Sequence, residues 1–288
     1  MIADPLPGIT KILVEDPAQY PGCVGSNSIY DNLSDLKAQI AANQRGSLLI
    51  QELFIEYGTR TVQRYMAAIQ ETAEAAVRQY LRTVAKEHPE SLQAIDYLDD
   101  GTEIHLEVRI NAETGSADFD FTGTDPETYG NRNAPKSLVY SAIIYALRAM
   151  INEDIPLNQG CLAPTNIIIP ENTVLSPSCG AAVYTGNSLT SQRVTDVVFK
   201  AFETCAASQG CMNSVQMYGG EKAKPGEPFK GFTFMYGETI CGGSGAGPGW
   251  NGVSAVHTVG LQSICSSCKP ASIGLHSTRD VMSETYRS

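Results

Sequence analysis

Two long stretches of helical periodicity occupy the first third of the chain. Apolar side chains between Leu36 and Phe54 supply one apolar stripe, and those between Val62 and Val84 recur every three or four residues. This spacing predicts two amphipathic helices. Gly58 lies between them, where a helix C-terminus favours glycine. Two helices with so short a connection are typical of an αα-hairpin.

The pattern changes to strict alternation after the helices. Apolar residues from Ile104 to Ile110 alternate with polar ones, the sequence NAETG follows, and Ser116–Phe121 alternates again. This arrangement predicts a β-hairpin. Two further short apolar segments predict additional strands, a buried one at residues 166–170 and a shorter one at 181–184.

The stretch between residues 118 and 161 places two loops rich in amides and glycines around one apolar helix. The run from Leu138 to Met150 is almost wholly apolar, so we expect this helix to be buried on most sides. Rigid loops of uncharged donors and acceptors suit a small polar ligand. The alternative is that asparagine and glycine simply make turns. The candidate binding amides are Asn131, Asn133 and Asn158.

A second helical face begins after residues 187–191 and continues to Cys205. The free N–H groups of a helix N-terminus can hold an anion, such as a carboxylate or phosphate of a substrate. Arg193 lies one turn into the helix and could assist. The alternative is a capped helix with an ordinary surface pair between Arg193 and Asp196. The candidates here are Asn187, Ser191 and Arg193.

A glycine-rich segment, residues 241–250, follows a predicted strand that ends near Glu238. Glycines let a backbone approach a ligand closely. The segment lacks the Lys-Ser/Thr ending of a P-loop, and no helical pattern follows it, so we reject a phosphate-cradling motif of that type. Glu238 is a candidate general acid, general base or polar contact for a ligand. The alternative is an ordinary exposed glutamate without a catalytic role, since most glutamates lie at the protein surface.

These elements predict an α+β fold, in which an αα-hairpin, a β-hairpin and mixed strands pack around the buried helix. Composition agrees, since 42% of the 288 residues are hydrophobic and 18% are charged. The formal charge of −11 argues against nucleic acid and anionic membranes as partners. The N-terminus lacks the pattern of a signal peptide. Eight cysteines without regular spacing indicate reduced thiols and a cytoplasmic location.

Six motifs, in this order, resemble the hydantoinase B/5-oxoprolinase family. Each motif is weak alone, but the ordered set is specific and extends from about Ile9 to Thr258. The motifs are DNLSDLKAQIAANQRG, YMAAIQETAEAAVR, DFTGT with GNRNAP, IPLNQGC, GNSLTSQRVTD and YGETICGGSGA.

The resemblance implies an ATP-dependent amidohydrolase that acts on a small molecule. A hydantoinase A-like ATPase domain or subunit would use ATP to phosphorylate the carbonyl oxygen of a cyclic amide, and the B domain would complete the reaction. For an oxoprolinase, 5-oxo-L-proline is opened to L-glutamate, a step of glutathione metabolism. The resemblance carries over Glu238 and His257 as catalytic candidates, beside the loop residues named above.

The chain also departs from the family pattern. The Asn-Asp-Pro, Gly-Gly-Thr-His and His-His-Ala-Asp segments of the family's metal site have no match here, so we expect no metal in this chain alone. We expect residues 1–258 to form an N-terminally truncated domain and residues 259–288 a divergent, disordered tail. The alternative function is therefore a non-catalytic remnant or a partner-binding module, and the isolated chain is expected to be inactive. Homo-oligomerisation stays open.

Overall fold

The computed structural model describes residues 8–20, 29–151, 153–212, 214–219 and 234–255, and these form an α+β fold, as predicted. The α-helices in these ranges are α1 (Asp16–Ala18), α2 (Ile29–Tyr57), α3 (Thr59–Glu87), α4 (Lys136–Met150) and α5 (Ser191–Ala201). The strands are β1 (Leu92–Tyr97), β2 (Glu103–Asn111), β3 (Ser116–Asp120), β4 (Thr165–Ile168), β5 (Ser214–Gly219) and β6 (Phe234–Thr239).

The chain divides into two compact units. The first comprises Met1–Tyr65 and Gln216–Gly237, and the second comprises Met66–Val215 and Glu238–Ser288. The expected tail, residues 259–288, lies outside the described residues. The division into a domain of residues 1–258 and a tail stays a prediction.

The two long helices predicted from periodicity are both present. Gly58 separates them with a φ of 81°, a left-handed conformation that favours glycine. None of the residues of α2 is buried, and Leu48 and Ile55 are 51% and 86% exposed. The packing of α2 against α3 as a hairpin stays a prediction, because the two helices belong largely to different units.

The second unit is built on a four-stranded sheet in the order β1-β2-β3-β4. β2 and β3 form the predicted antiparallel hairpin, in which Val108 pairs with Phe119. β3 and β4 are parallel. Parallel neighbours need a long crossover connection, and α4 lies in this one.

Three predictions about the strands and α4 need correction. β1 was not predicted, since its six residues carry only a short alternation. Residues 181–184 form a loop instead of a strand, because another loop binds them. β4 covers residues 165–168 and is only half-buried. α4 is buried along one face, whereas Ser137 and Tyr140 are exposed on the other.

The core of the second unit lies between the sheet and three helices. Phe119 of β3 stacks on Phe202, which follows α5, with a ring-centroid distance of 6.2 Å. The fully buried side chains that fill this core include Ala73, Val77, Leu81, Ile104, Val108, Phe119, Val139, Ile143, Leu147, Val194, Val197 and Val198. Among the described helices, none is both long enough and apolar enough to cross a lipid bilayer.

The contrast between two isoleucines tests this account of the core. We expect Ile143→Ala to lower the free energy of unfolding by about 2–5 kcal/mol, because the side chain is fully buried in α4 and its removal leaves a cavity. The matched change Ile69→Ala, at a 46% exposed position of α3 in the same unit, should change it by less than about 1 kcal/mol.

Urea unfolding followed by tryptophan fluorescence measures this difference. The only tryptophan, Trp250, belongs to the same unit as α4. A loss below about 1 kcal/mol for Ile143→Ala would contradict the assignment of this residue to the core.

Candidate functional site

The loops that precede α4 and α5 are hydrogen-bonded to each other. The carbonyl oxygen of Asn131 accepts hydrogen bonds from the N–H group and the hydroxyl of Thr185, at 3.0 and 2.8 Å. The buried hydroxyl of Thr190 donates to the carbonyl oxygen of Arg132. Three of the residues predicted from sequence, Asn131, Asn133 and Asn187, therefore lie on two loops that support one another, and a fourth, Ser191, is the first residue of α5.

Asn133 is the fully buried residue that holds this arrangement. Its Oδ1 accepts from the N–H group of Thr128 at 2.8 Å, and its Nδ2 donates to the carbonyl oxygens of Thr128, Gly130 and Ala182 at 2.9–3.1 Å. Gly186 lies so close that a Cβ there would be 2.5 Å from the carbonyl oxygen of Asn133. The amide is fully used inside the protein, so Asn133 shapes the site, and its predicted contact with a ligand stays a prediction.

Arg132 is a residue of this site that the sequence analysis missed. Its guanidinium lies 2.5 Å from the carboxylate of Asp100 in the turn between β1 and β2. Partial desolvation acts to raise the pKa of Asp100, but hydrogen bonds from Thr102 and the charge of Arg132 outweigh it and lower this pKa. The sequence offers only an arginine between two asparagines, and nothing local indicates its distant partner.

The start of α5 differs from the free helix end that was expected. A π-helical turn, Gly186–Thr190, precedes the helix, and the N–H group of Leu189 donates to the carbonyl oxygen of Thr185 at 2.9 Å. The hydroxyl of Ser191 donates to the carbonyl oxygen of Asn187 at 2.7 Å. Asn187 itself is exposed. The predicted anion site at this end stays a prediction, with fewer free donors than a simple helix N-terminus has.

Arg193 lies between two carboxylates. Its Nη1 is 3.3 Å from Asp96 on β1, and its Nη2 contacts Asp196 one turn along α5. Burial raises the pKa of Asp196, against hydrogen bonds from Ser208 and the charge of Arg193. Burial and the charge of Asp196 raise the pKa of Cys205 to about 11, which keeps this thiol protonated at neutral pH. Arg193 is thus part of a buried ion cluster, more enclosed than the surface pair considered from sequence.

Asn158 lies apart from this group, in the loop beyond the C-terminus of α4. Its Oδ1 accepts from the N–H group of Gly160 at 2.7 Å, and its Nδ2 donates to the carbonyl oxygen of Ile69 in α3 at 3.3 Å. A Cβ at Gly160 would lie 2.2 Å from the carbonyl oxygen of Gln70. Asn158 and Gly160 therefore fasten this loop to α3. An open groove of about 480 Å³ lies beside the contact.

The two catalytic candidates are placed differently. Glu238 is exposed near the end of β6, and His257 lies outside the described residues. Within the described ranges, no group of three His, Cys, Asp or Glu side chains is placed to hold a metal ion. The expectation that this chain alone holds no metal stays a prediction.

The exposed groups on the paired loops suit a small polar partner. Asn131 and Asn187 present neutral amides, which can orient a ligand without adding charge. Tyr129 and Tyr184, which the sequence analysis did not select, are fully and 79% exposed on the same two loops. Rigid loops with amide and aromatic groups can bind a planar polar ring or a protein surface.

The family model for hydantoinase B/oxoprolinase matches residues 8–266 of the chain. The chain therefore belongs to the hydantoinase B/oxoprolinase family. This membership agrees with the order of the six motifs and with the α+β fold.

Two named relatives illustrate the similarity. The chain is 55% identical to 5-oxoprolinase 1 of Arabidopsis thaliana over 265 aligned residues. This alignment covers 86% of this chain and 20% of that protein. The chain is 50% identical over 248 residues to 5-oxoprolinase of Saccharomyces cerevisiae, covering 85% of this chain and 19% of that protein. The chain thus spans about one fifth of the length of these curated relatives.

A solved structure shares the fold. The ATP-dependent caprolactamase from Pseudomonas jessenii matches with a TM-score of 0.63 and 18% identity, over 82% of this chain and 43% of that one. At this identity the likeness concerns the fold alone.

Replacing Asn133 tests its role in the paired loops. We expect Asn133→Asp to lower the free energy of unfolding by about 3 kcal/mol or more, because it removes three donated hydrogen bonds and places a buried carboxylate against three carbonyl oxygens. The control Asn131→Asp changes an exposed side chain and should cost less than about 0.5 kcal/mol.

Urea unfolding with tryptophan fluorescence gives both values. Equal effects of the two substitutions would show that the Asn133 amide does not hold the loops.

Proposed function

We propose that this chain forms the B-type part of an ATP-dependent cyclic-amide hydrolase that opens 5-oxo-L-proline to L-glutamate. The observation that carries this proposal is the identity of 50–55% to plant and yeast proteins named 5-oxoprolinase, over about 85% of the chain. The reaction would take place in the cytoplasm as a step of glutathione metabolism. The five cysteines in the described ranges form no disulfide, which is compatible with a reducing compartment.

The chemistry requires a second component. A lactam carbonyl is a poor electrophile, and transfer of the γ-phosphoryl group of ATP to its oxygen creates a leaving group. Water adds to this carbon, the ring C–N bond breaks, and the nitrogen takes up protons to become the amine of glutamate, which leaves an acyl phosphate. A second water then attacks the acyl phosphate, releases phosphate and supplies the other carboxylate oxygen. We assign the ATP-dependent step to a hydantoinase A-type domain or subunit, and expect no metal bound by this chain alone.

The loops before α4 and α5 are the proposed substrate-facing region of this chain. Asn131 and Asn187 would orient the lactam through their exposed amides. Neutral donors that are already fixed in place can stabilise developing charge without reorganising. Glu238 and His257 remain the proposed residues for proton transfer. Asn133 and Ser191 are assigned to holding these loops in place. Asn158 is assigned to fastening the loop after α4, and Arg193 to joining α5 to β1.

One observation favours a second candidate, a non-catalytic remnant or partner-binding module. Tyr129 and Tyr184 are fully and 79% exposed on the paired loops, and exposed aromatic side chains are common in protein interfaces. In this case the paired loops and their exposed tyrosines would bind an ATPase partner without turnover.

A chimeric enzyme distinguishes these functions. In yeast 5-oxoprolinase, the segment that aligns with this chain is replaced by the corresponding residues of this chain. We expect ATP-dependent release of glutamate from 5-oxo-L-proline. The double variant Asn131→Ala/Asn187→Ala should lower kcat/KM by about 10–100-fold, since two orienting contacts are lost.

The parental yeast enzyme and the isolated chain serve as controls, and the isolated chain should show no turnover. A folded chimera that releases no glutamate from 5-oxo-L-proline would favour the binding module.

A further inference from the structure

We propose that Arg193 is a positioning residue: its ion pairs with Asp96 and Asp196 fix residues 206–211, and these residues fix the glycine-rich loop that follows Glu238. The structural part of this proposal is independent of the activity. Its consequence for catalysis rests on the proposed function.

The first step is the enclosure of the ion cluster. The side chains of Arg193, Asp96 and Asp196 are only 15%, 19% and 2% exposed. Asp96 comes from β1 and the other two from α5, so the cluster joins the sheet to the helix. Because water has little access to the cluster, replacing Arg193 by a neutral residue leaves the carboxylates of Asp96 and Asp196 close together without its positive charge.

The second step connects the cluster to residues 206–211. Asp196 accepts hydrogen bonds from the N–H group and the hydroxyl of Ser208, both at 3.0 Å. The same hydroxyl accepts from the N–H group of Gly210 at 3.2 Å. Gly210 has a φ of 87°, and a Cβ there would lie 2.9 Å from Nη2 of Arg193. The segment therefore lies directly on the guanidinium.

The third step connects this segment to the glycine-rich loop. The N–H group of Gly243 donates to Oε1 of Gln209 at 3.1 Å, and the N–H group of Ala206 donates to the carbonyl oxygen of Ala246 at 2.7 Å. A Cβ at Gly245 would lie 2.0 Å from the carbonyl oxygen of Ala206. The absence of a side chain at Gly245 therefore leaves room for the backbone of Ala206. The sequence analysis had interpreted the glycines of this segment as room for a ligand.

The chemistry of the cluster favours arginine over lysine. Nη1 of Arg193 reaches Asp96 while Nη2 reaches Asp196. The planar guanidinium can serve two carboxylates at once, whereas a lysine presents a single nitrogen. We therefore expect Arg193→Lys to keep the charge but lose part of the positioning.

Hydrogen exchange measured by mass spectrometry on the full chain tests the structural part. Arg193→Met should speed amide exchange in residues 206–211 and 241–255 at least about tenfold, because both segments lose their attachment, and leave β2 and β3 unchanged. Arg109→Met is the matched control. Arg109 also contacts two carboxylates, Glu107 and Asp120, but is 46% exposed on the sheet. This control should leave residues 206–211 and 241–255 unchanged.

A milder variant covers the case in which Arg193→Met fails to fold. Asp96→Asn keeps the shape of the side chain and removes one charge, and should speed exchange in the same two segments by about threefold or more. Unchanged exchange in residues 241–255 would overturn the proposal. So would a uniform increase across α4 and the sheet, since Arg193 would then stabilise the unit in general.

The chimeric enzyme tests the catalytic part with Arg193→Lys. A positioning role predicts a lower kcat with little change in KM for 5-oxo-L-proline. A KM raised tenfold with unchanged exchange would mean that Arg193 contacts the substrate, and would overturn the proposal. If the unsubstituted chimera is inactive, the proposed function fails, while hydrogen exchange still decides the structural part.

Discussion

The hydrogen bonds of the buried Asn133 amide determine how the beginnings of α4 and α5 are arranged. Polar backbone groups that water does not reach must pair within the protein, and the buried Asn133 side chain pairs four of them across two loops. The contacts from Thr185 and Thr190 then complete the attachment. Because α4 and α5 both follow these loops, the Asn133 amide affects the packing of the two helices in the core and also the position of the exposed loop residues.

Charge is used differently inside the protein and at its surface. The chain is acidic overall, yet Arg132 and Arg193 are each directed at carboxylates supplied by distant segments. The enclosed pair of Arg193 with Asp96 fixes α5 on β1, since breaking it leaves an uncompensated charge. The pair of Arg132 with Asp100 is 32% exposed on both sides and is less enclosed. Exposed pairs such as Arg45–Glu52 contribute little by comparison.

Several family motifs acquire a structural explanation. Asn158 and Gly160 fasten a loop to α3, Gly186 allows two loops to touch, and Gly245 allows close packing against residues 206–211. Residues of these types can indicate ligand contact or tight backbone packing, and a sequence does not distinguish the two. The exposed residues Asn131 and Asn187 are thus better candidates for substrate contact than the buried Asn133.

The sequence by itself determined the elements whose signal is local. Helical periodicity gave α3, α4 and α5, and strict alternation gave the hairpin of β2 and β3, because each pattern repeats over many neighbouring residues. Only the tertiary structure decided the pairing of β1, the loop at residues 181–184 and the partners of the polar side chains. Arg193 meets Asp96 across 97 positions, and Asn133 meets Ala182 across 49. Such contacts follow from how the helices pack on the sheet, and no local pattern records which distant group a side chain will reach.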